Sequence, residues 1–169
     1  MLSRAKCQTG VTLIELLVSI AILAILMTVA VPSFQTFIVS NQVGAFSDHL
    51  YASLLLTRSE AIKRNGPAVI CKSADGATCT GGWNEGWIVF ADSDKDGSPS
   101  GETILQKMSP QNGSYSLSGL PDSVSYDSQG AATSSASYFA ICPTSGSCKY
   151  VCIPQYGTPK VVSSSSSCS

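Results

Sequence analysis

The chain opens with two kinds of hydrophobic pattern laid end to end. From Val11 to Val39 there is a single ionisable side chain, Glu15, and the run from Leu16 to Val31 is broken only by Ser19 and Thr28. With its flanks, a run of about 20 to 25 residues is long enough, as a helix, to cross a hydrocarbon core of about 30 Å. Beyond Pro32 the pattern turns amphipathic. Phe34, Phe37 and Ile38, then Phe46, Leu50, Leu54, Ala61 and Ile62, recur mostly at three- and four-residue spacing, which predicts a helix with one buried stripe. Asn65-Gly66-Pro67 is the first strong stop. One helix over residues 12–64 is therefore expected, about 80 Å long. Pro32 should kink or loosen it, because proline removes a backbone hydrogen bond and crowds the preceding turn.

After Gly66 short β-prone stretches alternate with turn residues. Strands are expected at Ala68–Lys72, Gly86–Ala91, Thr103–Met108, Tyr115–Leu117, Ser123–Tyr126, Tyr138–Cys142 and Lys149–Ile153. Turns are expected at Ser73–Gly76, Asp94–Gly97, Gly119–Pro121, Ser128–Gly130 and Pro143–Gly146. The fold class is α+β: antiparallel sheets packed on the second half of the helix, burying the stripe from Phe46 to Ile62. Ser163–Ser167, a low-complexity serine run, belongs at the surface.

Composition sharpens this picture in two places. Only 12% of residues are charged, and the net charge is −1. Without Arg4 and Lys6, which fall in the first ten residues, it becomes −3. That balance disfavours a nucleic-acid binder working through a broad basic patch. There are seven cysteines, and beyond Cys7, which lies in the first ten residues, Cys71, Cys79, Cys142, Cys148, Cys152 and Cys168 remain. An even number in a small domain fits a disulfide framework in an oxidising compartment. Cys148 and Cys152 have ligand-like spacing for zinc, but no second close pair or histidine cluster completes a tetrahedral site. Six cysteines allow fifteen connectivities. Cys71–Cys79 is the first expectation, closing a short loop; Cys142–Cys148 would face across a turn, leaving Cys152–Cys168 to hold the tail.

The N-terminus carries the functional signal. Met1 to Gly10 is short and basic, which keeps that end cytoplasmic, and no small-residue cleavage site follows the apolar run as it does in an ordinary secretory signal. Glu15 is what a plain membrane anchor leaves unexplained, since a carboxylate in an apolar span costs a few kcal/mol and usually faces a partner. Gly10-Val11-Thr12-Leu13-Ile14-Glu15-Leu16 closely resembles the processing motif of type IV prepilins and type II secretion pseudopilins. That resemblance implies cleavage between Gly10 and Val11 by a prepilin peptidase, and N-methylation of Val11. It also implies a pairing of Glu15 with the N-terminal amine of a neighbouring subunit. Val11 departs from the phenylalanine most members carry there. The expected organisation is a leader at 1–10, a membrane and fibre-core half-helix at 11–37, and an extracytoplasmic domain at 38–169. Arg58-Ser59-Glu60-Ala61-Ile62-Lys63-Arg64, with Gly86 to Asp92, Asp94 and Asp96-Gly97, resembles the GspH/FimT/FimU group of minor pilins and pseudopilins, FimU most of all.

Three further stretches carry residues capable of chemistry. Asp92-Ser93-Asp94-Lys95-Asp96-Gly97 begins like a calcium loop, but Thr103 holds the twelfth place and Glu102 misses it by one. A turn with solvated carboxylates is the expectation, so no metal or other cofactor is assigned. His49, beside Asp48, has no oriented nucleophile or metal motif around it, so no catalysis is expected. Some members of the resembled group bind DNA through a Gly-Arg-x-Arg motif; here Gly157-Thr158-Pro159-Lys160 offers one cation, and Lys149 is the other candidate. The resulting reading is a minor pilin of a type IV pilus, held in the inner membrane before assembly, with prepilin peptidase, major pilin and other minor pilins as partners. Alternatives are a type II secretion pseudopilin and a DNA-uptake pilin.

Overall fold

The computed structural model describes residues 11–111, 113–119, 121–133, 138–144 and 146–168. Helix α1 spans Leu13–Arg64, with Pro32 inside it. The residues group into two units, one ending at Phe37 and the other covering Ile38–Ser169. In the first unit no described residue is buried. The second contains every buried residue among those described, beginning at Val43.

Local rules account for the end of α1. Asn65 adopts the left-handed conformation (φ +52°), its N–H donates to the Ile62 carbonyl, and the Gly66 N–H donates to the Ala61 carbonyl. This pair of bonds closes the last turn in a Schellman motif, and Pro67 follows where the helix can no longer continue. The stripe that α1 buries in the second unit is Val43, Phe46, Ser47, Leu50, Ser53, Leu54, Thr57 and Ala61. Ile62 does not belong to it: it is 47% exposed, because one residue past Ala61 is a rotation of about 100° away from the core. The hydroxyls in the stripe are satisfied. Ser47 and Thr57 donate to the carbonyls of Val43 and Ser53, and the Ser53 hydroxyl accepts the indole N–H of Trp87 at 2.9 Å.

Eight strands follow: β1 Ala68–Lys72, β2 Trp87–Ala91, β3 Ile104–Met108, β4 Tyr115–Ser118, β5 Ser123–Tyr126, β6 Tyr138–Pro143, β7 Lys149–Cys152 and β8 Lys160–Val162. They form two antiparallel four-stranded sheets, ordered β3-β2-β1-β5 and β4-β6-β7-β8. The sequence-based ends of five strands move by one residue, and β8 was not anticipated. Strands β1 and β2 are central and almost wholly buried. Their inner residues Ile70, Trp87 and Val89 join α1 and the inward residues of the second sheet, Phe139, Ile141 and Val151, in the main core. Their outer residues Val69, Cys71, Ile88 and Phe90 form a second cluster with Cys79 and Ile104. Phe46 meets Trp87 edge-on at 5.5 Å between ring centroids, and Trp83 meets Phe139 likewise at 5.1 Å, a favoured aromatic geometry.

Disulfides join Cys71 to Cys79, Cys142 to Cys148 and Cys152 to Cys168. The first pins the loop after β1, whose Asp75 carboxylate accepts from the Thr78 hydroxyl and from the Thr78 and Ala77 N–H groups. Those bonds, the Thr78 hydroxyl first, hold Asp75 well below the usual carboxylate range. Gly86, at the entry to β2, has φ +121°. A Cβ there would run into the Met108 carbonyl oxygen and crowd that of Ser73, so the close approach of three strand ends depends on the missing side chain.

Candidate functional site

At the N-terminus α1 starts from Thr12, whose carbonyl accepts the Leu16 N–H at 3.1 Å. The Thr12 hydroxyl accepts the Glu15 N–H at 3.3 Å. Thr12 thus caps the helix, and Glu15 stands in the first turn, where the helix dipole favours a negative charge. Sequence reasoning missed Thr12, although Thr-x-x-Glu ahead of an apolar run is the spacing of a capping box. Glu15 consequently has a local role, at the helix start, besides any role toward a neighbour. Val11 is exposed beside it, and Gly10 lies outside the described residues.

The rest of the half-helix is apolar all round. Leu13 is 81% exposed, and the large apolar residues from Val11 to Ile38 all lie on the surface. Such an area far exceeds what a soluble monomer leaves bare. Three hydroxyls in the run are satisfied within the helix: Ser19 donates to the Glu15 carbonyl, Thr28 to that of Ile25 and Thr36 to that of Pro32. This is what hydrocarbon surroundings demand. Leu13 to Phe37, at about 37 Å by the helical rise, is long enough to span a bilayer core. Pro32 brings no N–H, so the helical bond it would have donated is missing within an otherwise continuous helix.

Two family models match the chain. One, the prokaryotic N-terminal methylation motif, covers residues 5–31. The other, type II transport protein GspH, covers residues 47–157. The chain belongs to the GspH family. It joins an N-terminal methylation motif to a GspH domain, on a pilin-like fold. Two crystal structures of the type IV minor pilin FimU of Pseudomonas aeruginosa PAO1 share its fold. One has 20% sequence identity and a TM-score of 0.58, covering 75% of this chain and 92% of that one. The other has 18% identity and a TM-score of 0.51, covering 73% and 94%. A comparison with curated proteins found no match.

The remaining candidates are distributed over the GspH-like domain. In the acidic loop, Asp92 is buried and its carboxylate accepts the Gly97 N–H at 3.2 Å. Glu102, not Thr103, reaches back, taking the Ser93 and Asp94 N–H groups at 2.8 and 3.2 Å. Oxygens of Asp92, Asp94 and Glu102 come within 4.8 Å of one another. Glu102, one place short of calcium-loop spacing, is brought to the acids because the loop closes as the β2–β3 connection. The acids act here as acceptors for turn N–H groups, with Lys95 and Gly97 at positive φ. His49 is exposed on α1. The Lys149 ammonium lies over Gly44 on α1, 3.4 Å from where a Cβ there would stand, while Lys160, opposite Cys152 on β8, is exposed. The two candidate DNA-contacting lysines thus sit at different ends of the β7–β8 pair. Near the C-terminal end of α1 the Arg58 Nε–H donates to the Gly130 carbonyl at 2.9 Å. Beside it the fully buried Tyr126 phenol has no partner among the described residues, and burial pushes its pKa up to about 12.

Proposed function

We propose that this chain is a minor pilin of a type IV pilus, a structural subunit that helps to prime assembly and stays at or near the fibre tip. The observation that carries the reading is the joining of a wholly exposed apolar half-helix to a domain closed by three disulfides, a combination suited to an oxidising, surface-exposed fibre. The FimU structures with the same fold come from type IV minor pilins, which supports the same choice.

In this reading prepilin peptidase cuts between Gly10 and Val11 and methylates Val11. The mature subunit waits in the inner membrane, with its domain in the periplasm. On assembly the half-helix enters the fibre core among major pilin and other minor pilins, and Pro32 allows it to bend. Glu15 meets the amine of a neighbour, so that two charges costly in isolation satisfy each other. A second reading, a pseudopilin of a type II secretion system, is favoured by the description of the matching family. Cell fractionation separates the two. A pilus subunit is recovered with filaments sheared from the cell surface, and its deletion lowers the number of pili. Recovery only in the envelope, with deletion blocking protein secretion and sparing pili, would overturn the pilus assignment.

A further inference from the structure

The two open sheets have four edges, and three of them are blunted. Along β3 a bulge interrupts the pairing at Val89/Phe90, and Lys107 is exposed, both recognised guards against strand addition. The β5 edge is closed by the chain itself, through the Tyr126–Ala132 bridge and the Thr133 N–H bonded to the Ser125 carbonyl. Strand β8 is only three residues long and packs against the turn at Ser165–Cys168, tethered through Cys152–Cys168. Strand β4 has none of these.

Its backbone parity can be worked out. In an antiparallel ladder alternate residues turn both N–H and C=O to the same neighbour. The Ser114 carbonyl accepts the Thr144 N–H from the β6 side, and Tyr115 stands opposite Pro143, which has no N–H to exchange. Ser116 and Ser118 therefore bond to β6, while Tyr115 and Leu117 turn their backbone groups to the open edge. No hydrogen bond to those outward groups exists among the described residues.

That edge opens onto a groove of about 710 Å³, lined by Tyr115 and Leu117 together with three carboxamides, Gln42, Asn84 and Gln111. No charged side chain lines it among the described residues. The Gln42 Oε1 accepts the Ser114 N–H at 3.3 Å just ahead of β4, which leaves the Tyr115 and Leu117 groups open. Gln111 is fixed by its N–H to the Asn84 carbonyl and by the Tyr115 hydroxyl on its own carbonyl. The Asn84 side chain has no hydrogen-bond partner among the described residues.

We propose that the β4 edge and this groove bind an extended, uncharged polypeptide segment of a partner protein, which adds as a fifth strand to the second sheet. Free main-chain groups on one side and carboxamides on the other match a peptide backbone. The four residues of β4, at about 3.4 Å each, give it a register. A charged segment would lose hydration in the groove without gaining an opposite charge. The proposal does not depend on which filament the chain joins.

The test uses the full chain in detergent micelles. The probes are a pool of end-capped octapeptides of Ser, Thr, Asn, Gln and Val, and two matched pools with Lys or Asp at alternate places. The readout is amide hydrogen exchange by nuclear magnetic resonance. The neutral pool is expected to slow exchange at Tyr115 and Leu117 at least tenfold, leaving Ser116 and Ser118 unchanged. Leu117→Pro, which removes an outward N–H, should abolish the effect. Asn84→Ala, at an exposed side chain, should weaken binding severalfold with the fold intact. The proposal is overturned by no protection, by equal protection from the charged pools, or by protection that rises with protein concentration alone and so marks a second copy. It is overturned equally if a neutral oligosaccharide perturbs Gln42 and Asn84 with neither amide protected.

Discussion

The bond between Trp87 and Ser53 ties α1 to the centre of the first sheet, and breaking it from either side should give unequal results. Both residues are fully buried, and the indole N–H reaches the Ser53 hydroxyl at 2.9 Å. In Ser53→Ala the indole N–H keeps its buried place and loses its acceptor, a cost of about 1–3 kcal/mol. Trp87→Phe leaves the serine hydroxyl with a fallback, since a helical serine can donate to the carbonyl four residues earlier. Its cost comes instead from the volume removed beside Phe46 and Trp83. Once Trp87 is Phe, adding Ser53→Ala should cost under about 0.5 kcal/mol, so the pair is coupled by about 1 kcal/mol or more. The assay is urea unfolding of oxidised residues 38–169, the unit that holds every described buried residue, followed by circular dichroism. Equal costs for Ser53→Ala in both backgrounds would refute the reasoning, and so would a Ser53→Ala variant as stable as the parent.

Other consequences can be checked separately. Glu15→Val should be processed normally yet enter filaments at least severalfold less than the parent, as measured by immunoblot of sheared fibres; equal incorporation would remove the register role. Gly86→Ala should destabilise the domain by more than about 1 kcal/mol, because the methyl group meets the Met108 carbonyl at positive φ, and the urea midpoint reads this directly. Asp75 is depressed in the folded state, so its contribution is complete above the ordinary carboxylate pKa of about 3.9. It fades as pH falls toward the lower folded value. Asp75→Asn should therefore flatten the acid limb of the stability profile, and a profile unchanged by the substitution would contradict that. Burial should hold Tyr126 un-ionised until about pH 12, which a titration followed by phenolate absorbance checks.

Much of the fold was legible because its signals are local. A long apolar run and three-to-four spacing specify α1, and Asn65-Gly66-Pro67 ends it, although Asn65 rather than the glycine takes the left-handed turn. β-rich stretches between turn residues gave seven of the strands. What escaped depends on contacts distant in sequence. Strand β8 is three residues after a proline, too short to show alternation, and exists because β7 offers it an edge. Ser47, Ser53 and Thr57 look like the polar face of α1 but are core residues, since their hydroxyls find partners inside. Glu102 joins the acidic loop through the β2–β3 pairing, which a linear count cannot see. At the N-terminus Gly10, Val11 and Glu15 could be named from the motif alone. Thr12 is legible there too, because Thr12-x-x-Glu15 has the spacing of a capping box.

The central claim is that this chain is cut before its apolar helix and works as a mature pilin-type subunit. Mass spectrometry of the protein purified from its native membrane tests it most directly. The account expects a first peptide beginning at N-methylated Val11, with the apolar helix retained. An unprocessed chain beginning at Met1, or cleavage beyond Val31 that discards the apolar run, would contradict it.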